Sequence, residues 1–125
     1  MIMSTNPRQR GKWGEGVALE YLTRKGYSII TTGFRSRFGE IDIIARSGEI
    51  LTFTEVKTRK NKNFAFAREF VGKDKQRKII STANYYLAKR PTKLQPRFDV
   101  IEVYAKDGEK TASPEIIHIE NAFGV

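Results

Sequence analysis

Residues 38–57 read FGEIDIIARSGEILTFTEVK, and the fold of the chain turns on how this stretch pairs with itself. Phe38 to Arg46 and Glu49 to Thr58 are rich in Ile, Phe, Val and Thr. Ser47-Gly48 between them is a two-residue connection of the kind that closes a hairpin through a primed turn. With that turn Glu40 faces Glu55, Asp42 faces Phe53 and Ile44 faces Leu51 on one side of the ribbon, and Lys57 joins them. The other side carries Ile41, Ile43, Ala45, Ile50, Thr52, Thr54 and Val56, a mainly apolar surface for helices to cover.

Carboxylates and an ammonium therefore crowd one face, with Asp42 and Glu55 as diagonal neighbours roughly 7 Å apart. Like charges so placed repel, and a divalent cation between them relieves the repulsion; hard carboxylate oxygens suit Mg2+ or Mn2+. Lys57 points its charge at the same spot. That layout serves phosphodiester hydrolysis, in which a metal lowers the pKa of a bound water and a lysine steadies the nucleophile or a phosphate oxygen. The same residues also suit a solvated strand face with a cross-strand ion pair.

Asp42, twelve intervening residues, then Glu55-Val56-Lys57 resembles the D…(D/E)-x-K motif of the restriction-endonuclease-like nuclease superfamily, which includes archaeal Holliday junction resolvases. GKWGEGVALEYLTRKGY at 11–27, FRSRFGEIDIIAR at 34–46, TFTEVKTR at 52–59, KQRKI at 75–79 and RFDVI at 97–101 are similar to the YraN-like family, a small nuclease-related bacterial family. The likeness runs from about Gly11 to Val103. It implies that Asp42 and Glu55 are metal ligands, that Lys57 is the catalytic lysine, and that Glu15 is the helical acidic residue that resolvase-like members add to the site.

Composition bounds the rest. A chain of 125 residues makes one domain, here residues 11–125 behind a flexible basic lead at 1–10. A net charge of +9 favours a polyanionic partner, with nucleic acid, DNA first, ahead of an anionic membrane, because no apolar run approaches a membrane span. The absence of cysteine excludes disulfides and thiolate metal sites and fits a reducing cytoplasm, and Met1-Ile2-Met3 followed by polar residues reads as no signal peptide.

Along the chain, Trp13, Val17, Ala18, Tyr21 and Leu22 recur at helical spacing, and Gly26 supplies a left-handed stop. Gly14 and Gly16 inside that helix predict a close approach by another backbone or a late start. Glu15 borders the inward stripe, where it either reaches the acidic face or simply favours the helix N-terminus. Tyr27 to Phe34 reads as a first strand, with Arg35 and Arg37 in the turn that follows, where they either hold a phosphate or simply keep the loop soluble. Thr58 to Asn63, with Arg59 and Lys60, is a basic exit, and Phe64 to Gly72 offers aromatic rings to an unpaired base or to the core.

Lys73 to Arg90 reads as the second helix, with Asp74 as its cap and Pro91 as its stop. Gln76, Ile80, Ala83 and Leu87 form its inward stripe, so Gln76 either reaches the site or makes a helix-end hydrogen bond, while Glu40 stands behind the acidic pair. Lys73, Lys75, Arg77 and Lys78 make a basic lip at the helix start. Phe98 to Tyr104 is a strand parallel to the hairpin's second strand, and Glu115 to Glu120 a last edge strand. Asp99 reads as structural, and His118, the only histidine, as a strand-surface residue.

The expected class is α/β with a mixed sheet, a restriction-endonuclease-like αβββαβ core flanked by helices. The expected function is a Mg2+- or Mn2+-dependent, structure-recognising endonuclease acting on DNA, and the alternative is a non-catalytic nucleic-acid-binding module on that scaffold. Paired cuts across a junction would need a homodimer, for which the apolar residues around Phe64 to Phe70 offer an interface.

Overall fold

The computed structural model describes residues 7–60 and 71–124, with side chains from residue 11 onward; the aromatic stretch at 64–70 and its expected dimer contact lie outside these. Helix α1 (Pro7–Arg24) is followed by three antiparallel strands, β1 (Ser28–Ser36), β2 (Gly39–Ser47) and β3 (Ile50–Arg59). Helix α2 (Lys73–Lys89) then leads to β4 (Gln95–Tyr104), parallel to β3, and β5 (Glu115–Phe123) closes the sheet antiparallel to β4. The strands lie in sequence order β1-β2-β3-β4-β5, a mixed sheet. No described helix is long and apolar enough to cross a membrane.

The helices cover opposite faces. Ala18 and Leu22 of α1 pack on Ile43, Ala45, Ile101 and Val103, whereas Ile79, Ala83 and Tyr86 of α2 pack on Ile44, Leu51, Phe53 and Val100. Alternate residues of β2 and β4 thus feed separate cores, as a doubly covered sheet requires. Ile41 departs from the expected alternation and joins Ile44 on the α2 side. Its partner Phe34 follows Gly33, whose φ of +60° interrupts the regular course of β1.

Helix α1 runs to Arg24. It ends in a Schellman arrangement: the Tyr27 N–H donates to the Leu22 carbonyl and the Gly26 N–H to that of Thr23, with Gly26 at φ +92°. Helix α2 differs in detail from expectation. Gly72, not Asp74, is its N-cap; Asp74 lies in the first turn and pairs with Arg77. Its buried face is Ile79, Thr82, Ala83 and Tyr86, rotated from the expected stripe, so that Gln76 lies at the margin.

The hairpin forms with a corrected turn. The last pair is Ser47 with Ile50, so Gly48-Glu49 connects the strands, and Gly48 at φ +59° takes the first central position that a II′ turn reserves for glycine. Ile44 faces Phe53 rather than Leu51. A slip of two residues preserves which side chains share a face, but it changes partners, and the ladder ends at Ile43 with Thr54, one residue short of Asp42 and Glu55.

Candidate active site

The β2–β3 ladder stops at Ile43 and Thr54, and Asp42 replaces the next rung: its Oδ2 accepts the Val56 N–H at 2.8 Å. Glu55 beside it is buried, and two ammonium groups reach its Oε1, Lys57 at 3.6 Å from the same strand and Lys75 at 3.4 Å from the start of α2. Helix α1 brings Glu15 to the same place. Gly14 makes that approach feasible, because a Cβ there would stand 2.0 Å from Thr58 Oγ1 on β3. The close approach at Gly14 is by the Thr58 side chain and not by another backbone, while Gly16 faces open space.

The acids oppose one another. Burial and then the charge of Glu55 push the Asp42 carboxyl up to about 7, with Glu15 and Glu40 adding to the effect and only the Val56 N–H opposing it. Glu15 is raised as well, first by burial, then by Glu40 and Glu55, against the pull of Lys12. Hard oxygens in mutual repulsion suit a hard divalent cation. Among the described residues no three acid or imidazole ligands converge into a ready-made centre. Asp42 and Glu55 are the residues that could hold such an ion, with Glu15 near them, and two carboxylates suit Mg2+, which keeps several of its waters.

The remaining predicted residues divide between this site and its surroundings. Glu40 does not face Glu55; it pairs across to β1, where Arg35 donates to it at 3.0 Å. Gln76 makes the helix-end bond, donating to the Val71 carbonyl at 2.8 Å. Arg37 lies in the β1–β2 turn with its guanidinium 4.9 Å from the Phe38 ring centre. Arg59 lines the cavity beside Asp42 and stands 3.9 Å from the buried Glu102, and Lys60 lies on the same wall. Lys73, Arg77 and Lys78 are exposed at the start of α2. The lip thus exists, but Lys75 also joins the site, a role that needed the packing of α2 to be seen.

A second aspartate is the counterexample to Asp42. Asp99 is fully buried on β4, where Arg97 donates to both of its oxygens at 2.9 Å, His118 Nε2 lies at 2.8 Å and the Asn121 N–H donates at 3.0 Å. Burial alone would raise this carboxyl, but hydrogen bonds from His118, Arg97 and Asn121 outweigh it and hold Asp99 below the ordinary carboxylate range. Asp99 thereby anchors an irregularity of β5, where Asn121 takes φ +52°. His118 is not a surface residue: its side chain is 4% exposed and its Nδ1 meets Tyr21 Oη at 3.2 Å. Its position beside a buried acid, from a strand nineteen residues on, carried no local signal.

The profile of the uncharacterised protein family UPF0102 matches residues 14–103. The chain belongs to the UPF0102 family. A UPF0102 protein of Syntrophotalea carbinolica is 44% identical over 116 residues, which cover 92% of this chain and 91% of that one. Another, from Caldanaerobacter subterraneus subsp. tengcongensis, is 44% identical over 98% of this chain and 100% of its own. A third, from Clostridioides difficile, is 43% identical over 94% and 99%. The UPF0102 match takes in Glu15, Asp42, Glu55, Lys57 and Lys75, and ends before β5 and His118.

Proposed function

We propose that this chain is a divalent-metal-dependent nucleic-acid phosphodiesterase, a structure-recognising and resolvase-like endonuclease on a restriction-endonuclease-like scaffold, acting on DNA with Mg2+ or Mn2+. The observation that carries the reading is the contrast between the half-buried Asp42 and the buried Asp99. Asp99 is fully compensated by Arg97 and His118, as a structural acid should be. Asp42 instead faces Glu55, Glu15 and Glu40 and is left with a raised pKa. Acids held in mutual repulsion beside a cavity are the expected signature of a working site.

In this reading Asp42 and Glu55 hold the ion directly and Glu15 completes the site through water. A divalent ion there supplies a water of lowered pKa and positive charge against the charge that develops on phosphate. The Val56 N–H fixes one Asp42 oxygen and so orients the carboxyl. Lys57 and Lys75, each a hydrogen-bonding cation near Glu55 Oε1, lie where they can exchange that oxygen for a phosphate oxygen of the substrate. The exposed cations at the start of α2 add affinity for the flanking backbone.

The test is cleavage of labelled linear, flap and four-way-junction DNA in Mg2+ and in Mn2+ at fixed salt. Wild type should cut at least one of them, and Asp42→Ala and Glu55→Ala should each lose about 100-fold or more of that rate, the scale of losing a metal-borne nucleophile. Equal rates in the variants would sink the proposal. A second reading, a nucleic-acid-binding module without turnover, draws on the absence of a three-ligand cluster among the described residues. It predicts salt-dependent DNA affinity that survives both substitutions, with no cleavage by any of the three proteins.

A further inference from the structure

The acidic pair forms one end of a cavity of about 350 Å3 that runs beneath α1 toward the loop after β4. Trp13 and Glu15 line it from α1, Arg59 and Lys60 from the end of β3, and Lys106 and Glu109 from the loop. Trp13 is half-buried, packed against the Ala18, Leu22 and Ile101 cluster while also forming cavity wall. Periodicity explains the buried part of that indole as core; it does not explain why so large a ring lines a chamber next to carboxylates.

From this juxtaposition we infer that the cavity receives one unstacked nucleotide, its base against Trp13, so that the substrate is a nucleic acid unpaired at the point of attack. The inference rests on the phosphodiesterase reading and narrows its substrate class. A base is neutral, so it can lie beside Glu15 and Glu109, where a phosphate would be repelled. The cations of Lys60 and Lys106 are left for the backbone on either side. The volume falls near the lower end of ligand pockets, about 300–1,000 Å3, which is room for a nucleotide and not for a stack of paired bases. A base inside a continuous duplex has both faces covered by its neighbours and cannot offer one to an indole; an unpaired base can, whatever its identity. Flaps, overhangs and single strands therefore fit, and fully paired DNA does not.

Trp13 is the only tryptophan in the chain, so its emission reports on this cavity directly. The full chain is titrated at constant salt, with Ca2+ replacing Mg2+ to hold back turnover. The probes are a short single strand, a blunt duplex of the same sequence, and a strand of abasic sites, and anisotropy of labelled copies records binding independently. The single strand should quench Trp13 emission about twofold or more, while the duplex and the abasic strand, at saturation, leave it nearly unchanged. Single-strand binding without quenching, equal quenching by the duplex or the abasic strand, or no binding of the single strand would each overturn the inference. Quenching without hydrolysis in Mg2+ keeps the nucleotide pocket and removes the phosphodiesterase. Hydrolysis without quenching does the reverse.

Discussion

Asp42 and Asp99 are the same side chain solved in two ways, and the difference predicts opposite responses to pH. The folded pKa of Asp42 lies above its ordinary value of 3.8, at about 7, so its contribution is most favourable below that ordinary value and is lost as pH rises through neutrality. Metal-free wild type should therefore lose stability as pH rises from about 5 to 8, and Asp42→Asn should flatten that slope and melt higher at pH 8, as thermal denaturation across that range will show. Asp99 is held below its ordinary value, so its contribution is present above about pH 4 and lost as pH falls through its folded pKa. Asp99→Ala takes from His118 and the Asn121 N–H their shared acceptor and leaves Arg97 only Tyr27 and Glu120, and should cost about 3 kcal/mol in denaturant unfolding at neutral pH. That Asp42 and Glu55 lie near one another was legible in the sequence because both belong to one hairpin, whereas Glu15 was set beside them only through the family resemblance. The Asp99 network was not legible, because Tyr21, Tyr27, Arg97, Asp99, His118 and Asn121 meet only after α1, β4 and β5 have packed.

At the scale of elements, strand periodicity foretold β1 to β5 and the parallel return through α2. The hairpin turn was misplaced because either Ser47-Gly48 or Gly48-Glu49 joins the strands in two residues, and which one forms depends on where the left-handed glycine stands in the turn. Because the slip was of two residues, Ile44, Leu51 and Phe53 still share one face, the one that α2 covers. The inward stripe of α2 was misjudged for a related reason. Helical spacing alone admits Gln76-Ile80-Ala83-Leu87 and Ile79-Thr82-Ala83-Tyr86, and contact with β2 selects the second. The joint between α1 and β3 gives a sharper test through two glycines of one helix. Gly16→Ala meets no atom and should stabilise the protein by about 0.5–1 kcal/mol through helix propensity. Gly14→Ala gains the same propensity but drives a methyl into Thr58, and should cost about 1–3 kcal/mol net in urea unfolding while moving Glu15 away from the site.

Across the whole molecule, a chain of net charge +9 brings Glu15, Glu40, Asp42 and Glu55 together and sets Lys57, Lys60, Lys75 and Arg59 around them. A protein built only to bind phosphate has little reason to bury carboxylates where the phosphate should dock, and one built only to fold would have paired Asp42 as it pairs Asp99. Divalent-ion binding resolves both objections, and calorimetric titration with Mg2+ at fixed salt and at two pH values either side of neutrality tests it most directly. Wild type should bind a single ion, more tightly at the higher pH and with release of a proton at the lower, because Asp42 must ionise to bind it; Asp42→Asn and Glu55→Gln should abolish the heat. Titrations of wild type that match those of the two variants would contradict a metal site at Asp42 and Glu55, and with it the proposed chemistry.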